Sequence, residues 1–131
     1  MAKKKLLLSI IFLMLFMFIV DLLAHKFYLF YTLWWFDIPM HFLGGFWVGL
    51  FFIYVFFRKD SLFKSYWKVI FCAFLIGILW ELFEVFAHQH IAKIPFDAWD
   101  TSFDLLLDIF GSGVALIYFY KTIMNDKGSA V

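Results

Sequence analysis

The chain has 131 residues, of which 66% are hydrophobic and 25% aromatic, with 21 phenylalanines and a formal net charge of +1. A soluble domain of this length leaves too much of its surface in water to hide that apolar area, so lipid must be the solvent. The near-neutral charge argues against a nucleic-acid partner, and the single cysteine, Cys72, excludes an intrachain disulfide.

Lys3, Lys4 and Lys5 followed by an apolar run have the charged and hydrophobic parts of a secretory signal, but Asp21-Leu22-Leu23-Ala24 lacks the small-residue pattern of a cleavage site. The run therefore reads as an uncleaved first span, residues 6–24. Three more spans follow at 38–57, 67–87 and 103–120, each near the roughly 20 residues needed to cross about 30 Å of hydrocarbon. The predicted fold is all-α, a polytopic four-transmembrane-helix bundle forming a single integral membrane domain over residues 1–131. The apolar stretch 27–57 is too long for one crossing. Asp37-Ile38-Pro39 divides it, since proline suits a first helical turn and disfavours helix in the residue before it. Residues 25–36, with Tyr28, Tyr31, Trp34 and Trp35, are left as an aromatic segment at the membrane surface, or as a prolongation of the first helix.

With the N-terminus in the cytoplasm, that side receives Lys3, Lys4, Lys5, Arg58, Lys59, Lys64, Lys68, Lys121 and Lys127, while the other receives only Lys26 and Lys93. The positive-inside rule then places both termini inside. The same topology brings the acids and histidines to one level, on the outer side. Asp21 and His25 end the first span there, and Asp37 and His41 begin the second. Glu81, Glu84 and His88 close the third, and Asp100, Asp104 and Asp108 lead into the fourth. The opposite halves of the spans carry no acid or histidine. Helical spacing puts Asp37 with His41, Glu81 with Glu84, and Glu84 with His88 on shared faces, and makes Asp100, Asp104 and Asp108 one stripe. Gly44, Gly45, Gly49, Gly77, Gly111 and Gly113 accompany these stripes, and small residues let membrane helices approach closely. Asp37-x3-His41-x2-Gly44 and Asp104-x3-Asp108-x2-Gly111 share a spacing, as a duplicated helix pair would.

Each of these residues also has a plainer reading. Asp37 suits an N-cap. Thr101-x-x-Asp104 matches a capping box, with Asp104 as the third helical residue, which would account for Asp104 and, with the helix dipole, for Asp100. His90 reads as a solvated loop residue, and Trp34, Trp35, Trp47 and Trp99 as interface anchors. Glu81, Glu84 and Asp108 are too deep to be caps. A charge near the bilayer centre costs about 2.5–3.5 kcal/mol on insertion scales, and such residues usually face a bundle interior, where they pair and mark a working site. Their plain reading is polar glue between helices.

Carboxylates with imidazole suit Zn, Mn or Fe(II), and carboxylates with water suit Mg or Ca, so a divalent metal ion is the candidate cofactor. Bundles build such sites from Glu and Glu-x-x-His projected inward, and Glu81-x-x-Glu84-x3-His88 is a variant of that logic. The predicted pocket, and possible metal site, comprises Asp37, His41, Glu81, Glu84, Asp104 and Asp108, with His88 and Asp100 at its mouth.

Asp37-Ile38-Pro39-Met40-His41-Phe42 resembles the D-x-x-x-H element of VanZ-like membrane proteins. Glu81 matches the acidic residue of that family's later helix. Asp104 to Gly111 matches its D-x-x-x-N-x-x-G element, with Asp108 in place of Asn. Trp80-Glu81-Leu82, together with Trp99-Asp100-Thr101 through Asp104, is similar to YjdF-type inner-membrane proteins. Glu84 stands where the VanZ-like pattern usually has Gln, and an Arg before the last aspartate is absent, so this pocket is more anionic than the pattern. The resemblance implies a multi-pass protein of the bacterial cytoplasmic membrane with a cell-envelope role, glycopeptide-antibiotic tolerance being the family's best-known association.

The expected function is therefore a VanZ-like envelope protein whose outward pocket binds a cation, or a cationic or metal-bridged head group of a lipid or envelope precursor. The alternatives are a metal-dependent membrane hydrolase or transferase acting on a lipid-linked precursor, an ion or proton carrier, and a structural assembly partner. An oligomer is compatible with each of them. A hydrolase would have metal to polarise oxygen and a carboxyl for acid–base work, but no pocket Arg or Lys for phosphate. A carrier would need a polar path through the inner halves of the spans.

Overall fold

In lipid a spanning segment must satisfy its backbone N–H and C=O groups internally, which leaves helix as the solution for isolated apolar runs. A computed structural model describes residues 2–56 and 62–124. These form α1 (Ala2–Lys26), the single turn α2 (Leu29–Thr32), α3 (Asp37–Phe56), α4 (Leu62–Ala87) and α5 (Ala98–Tyr118). π-Helical turns at His88–Ala92 and Phe119–Met124 extend α4 and α5. Four helical stretches are long and apolar enough to cross a membrane: Lys3–Lys26, Asp37–Phe56, Ser65–Ala92 and Ala98–Ile123. The all-α architecture with four spans is as the sequence predicts, the first, third and fourth being longer than expected. Phe57, Arg58, Lys59 and Lys127 lie outside the described residues.

Helix α3 lies at the centre, packing most extensively on α5 and then on α4, while α1 lies against α3 and the end of α5. Glycines set the α3–α5 approach. A Cβ on Gly45 would collide with the backbone of Asp108, and one on Gly111 with the backbone of Phe42 and Phe46. Gly44 and Gly113 have nothing within 4 Å, so they do not serve the close approach expected of them. The shared spacing noted above therefore does not correspond to equivalent contacts: Gly111 is at the helix crossing and Gly44 is not.

The apolar core gathers at the end of the bundle where α1 begins, around Leu6, Ile10, Leu50, Ile53, Val69, Phe119 and Ile123. Trp47 belongs to this packing rather than to an interface belt. Its indole N–H donates to the Ile10 carbonyl at 3.1 Å, and its ring stacks on Phe51 at 5.9 Å. A buried indole N–H requires such a partner. Trp34 and Trp99, by contrast, are 85% and 88% exposed.

Helix α1 ends because Tyr28 takes a left-handed backbone (φ 57°), and α2 is a separate turn closed by the Leu33 N–H donating to the Leu29 carbonyl at 2.9 Å. His25 and Lys26 thus complete α1, and residues 27–36 are a compact aromatic connector that does not prolong it. Phe30 packs edge-on against both His25 and Phe36.

The link from α4 to α5 turns at Lys93 (φ 53°), where the Ile94 N–H donates to the His88 carbonyl at 2.9 Å. Helix α5 then starts at Ala98, five residues earlier than predicted, capped by Asp97. Its carboxylate accepts from the backbone N–H of Trp99 at 2.9 Å and of Asp100 at 3.4 Å. The capping-box expectation at Thr101 and Asp104 is overturned, since the helix is already established there. Asp97→Ala is expected to cost about 1 kcal/mol. A lower thermal midpoint, with faster hydrogen exchange confined to the first turn of α5, would register it.

Candidate functional site

Antiparallel crossing places the first turns of α3, the last turns of α4 and the first turns of α5 at the end of the bundle opposite the apolar core. His41, one turn into α3, is buried there. Five carboxylates from three helices surround its ring. Nε2 lies 3.6 Å from Asp37 Oδ2, 3.7 Å from Asp104 Oδ2 and 3.8 Å from Glu84 Oε2. Nδ1 lies 3.5 Å from Asp108 Oδ1 and 3.9 Å from Glu81 Oε1. These distances exceed the roughly 2.7–2.9 Å of a charge-assisted hydrogen bond. The acids stand around the imidazole without closing on it.

Glu81, Asp104 and Asp108 are each more than nine-tenths buried, at 5%, 4% and 8% exposure. Glu81 Oε1 is buried and accepts no hydrogen bond. A buried polar atom in that state costs about 1–3 kcal/mol, and more when charged. Gly77 of α4 makes the room for Asp108, since a Cβ there would lie 2.8 Å from Asp108 Oδ2. One imidazolium can offset only one of five negative charges, so protons or a cation must compensate the rest. Two groups have donor atoms mutually within 4.8 Å: Asp37, His41 and Asp104, and the fully buried His41, Glu81 and Asp108.

All six residues predicted to line the pocket thus approach one another in the structure. His88 is at the edge, with Nε2 3.7 Å from Glu84 Oε1, and Asp100 is exposed. Asp21 and His25 instead pair with each other at 3.5 Å on α1, and His90 is exposed, stacked on Phe86. Beside the cage a cleft of about 510 Å³ opens between the end of α4 and the start of α5. Glu81 and Glu84 belong to both cage and cleft; Val85, Ile94, Phe96, Asp97 and Thr101 also line the cleft, and sequence reasoning had given none of these five a place in the pocket. Pro95 followed by an Asp two residues before Trp99 was the available signal for Asp97, as an N-cap at a helix start.

Four long apolar helices with a polar cluster at one end define an integral membrane protein. Residues 3–125 match the family described as "Predicted membrane protein (DUF2238)", and the chain belongs to that family. No curated protein and no solved structure gives a significant match.

Proposed function

We propose that this membrane protein binds a divalent cation in the His41 cage, at the outer leaflet of a bacterial cytoplasmic membrane with both termini inside. The observation that carries the reading is the buried Glu81 Oε1, without a hydrogen-bond partner, facing an imidazole already surrounded by four other carboxylates. The donor set favours His41 Nδ1, Glu81 and Asp108 as ligands. His41 Nε2–H is then directed at Asp37, Asp104 and Glu84, the carboxylate–histidine–metal arrangement that orients ligating imidazoles. Mixed imidazole and carboxylate donors suit Zn, Mn or Fe(II). Orientation rests on the excess of Lys and Arg on the side of the termini.

Asp37, His41, Glu81 and Asp104 of the cage carry the VanZ-like resemblance, which supports a cell-envelope role, while Glu84 and Asp108 depart from that pattern. Three protein ligands leave a coordination position free, as in catalytic rather than structural sites. Together with the adjoining cleft, this favours a metal-assisted hydrolase or transferase as the second reading. Release of product from a lipid-linked envelope precursor, dependent on the added metal, would distinguish it from binding alone.

The test is the metal content of the purified protein by mass spectrometry, against a Glu81→Gln/Asp108→Asn variant of equal monodispersity. Near-stoichiometric metal, lost in the variant, is expected. Equal metal in both proteins, or none in either after reconstitution with Zn, Mn and Fe(II), would overturn the reading.

A further inference from the structure

The cleft beside the cage has a composition that selects its occupant. Glu81, Glu84 and Asp100 line it together with His88, and no lysine or arginine among the described residues does. An anionic head group would meet like charges there with no basic partner, whereas a cation would be attracted. This selection rests on the cage being a cation site. Even so, a single divalent ion cannot neutralise five carboxylates, and Asp37, Glu84 and Asp104 then stand around one ring N–H, leaving acids near the mouth for a further cation or protons to compensate.

The rest of the wall sets apolar Val85, Ile94 and Phe96 beside polar Gln89, Asp97 and Thr101. The surroundings are apolar. Phe86 and Ile91 near the end of α4 and Trp99 at the start of α5 are 58%, 79% and 88% exposed, surfaces that belong against lipid or its interface. A cavity of this size holds a head group and a short length of chain.

We infer that the α4–α5 cleft is a binding site for an amphiphile with an ammonium head group, a primary amine or quaternary nitrogen, taken from the leaflet at that end of the bundle. The nitrogen lies toward Glu84 and Asp100, and the alkyl part runs along Val85 and Phe96. A soluble organic cation offers the same nitrogen without the alkyl contact, so the two sources separate by affinity.

Full-length protein in a neutral detergent, titrated calorimetrically with dodecyltrimethylammonium, choline and dodecyl sulfate, tests the inference. Dodecyltrimethylammonium is expected to bind saturably, choline at least roughly tenfold more weakly, and dodecyl sulfate without saturation. Asp100→Lys and Val85→Trp, one reversing charge and one filling the cleft, are each expected to weaken dodecyltrimethylammonium at least about tenfold. Helical content and monodispersity confirm folding, and either variant suffices if the other fails to fold. Equal binding of the cationic and anionic chains, equal binding of choline, or indifference to both substitutions would each overturn the inference. Saturable, substitution-sensitive ammonium binding by a protein that takes up no metal would support the cleft site and count against the metal cage alone.

Discussion

His41→Leu is expected to destabilise the protein by about 3–5 kcal/mol, the scale of removing one partner from a buried ionic group. The imidazole is the only basic side chain within 4 Å of Asp104, Asp108 or Glu81 among the described residues, and it is also the proposed nitrogen ligand. Its loss leaves buried carboxylates facing one another. Metal content should fall to background, and the midpoint of unfolding should drop sharply. His41→Gln keeps a donor and similar reach, so it should lose metal while costing less stability. A loss below about 1.5 kcal/mol for His41→Leu, the scale of a volume-conserving core swap, with metal retained, would show that the ring only packs.

Gly45→Ala and Gly111→Ala are expected to be the most disruptive small substitutions in the chain. Each added methyl meets backbone atoms of the facing helix, Asp108 in one case and Phe42 and Phe46 in the other. Backbone cannot rotate away as a side chain can, so α3 and α5 must separate. Overpacking of this kind costs about 1–3 kcal/mol or more. Because the colliding residues include Asp108 and the neighbour of His41, separation also opens the cage, and cation binding should fall together with stability. Gly44→Ala and Gly113→Ala, with open space around them, are the controls. They should be neutral or slightly stabilising, since alanine is about 1 kcal/mol better than glycine within a helix. Thermal unfolding of all four variants, with metal content measured on each, checks this. Equal behaviour of the two pairs would show that α3 and α5 are not held at the distance described.

The part of the cage legible in the sequence was its level. Once four spans alternate direction, depth is fixed by position along each helix at a constant rise per residue, and Asp37, His41, Glu81, Glu84, Asp104 and Asp108 must come to the same end. Asp104 was harder to read. Thr101-x-x-Asp104 satisfied a local capping rule, and only the earlier start of α5, with Asp97 as cap, freed Asp104 to turn inward. Trp47 was misplaced for a related reason: as a tryptophan in an apolar span it fits an interface belt equally well, and its partner, the Ile10 carbonyl, lies on another helix.

By itself the sequence determined that this is a membrane protein with four spans, because no fold of 131 residues could bury so much apolar surface away from water. It also determined which end of the bundle holds the acids. Tertiary structure decided the rotation of each helix about its axis, and with it everything finer. It chose Gly45 over Gly44 for the crossing and turned Asp108 into the space left by Gly77. It also gathered five carboxylates around one imidazole. In lipid an apolar helix has almost no preferred face, so its rotation is set by where backbones can touch and where buried polar groups can meet.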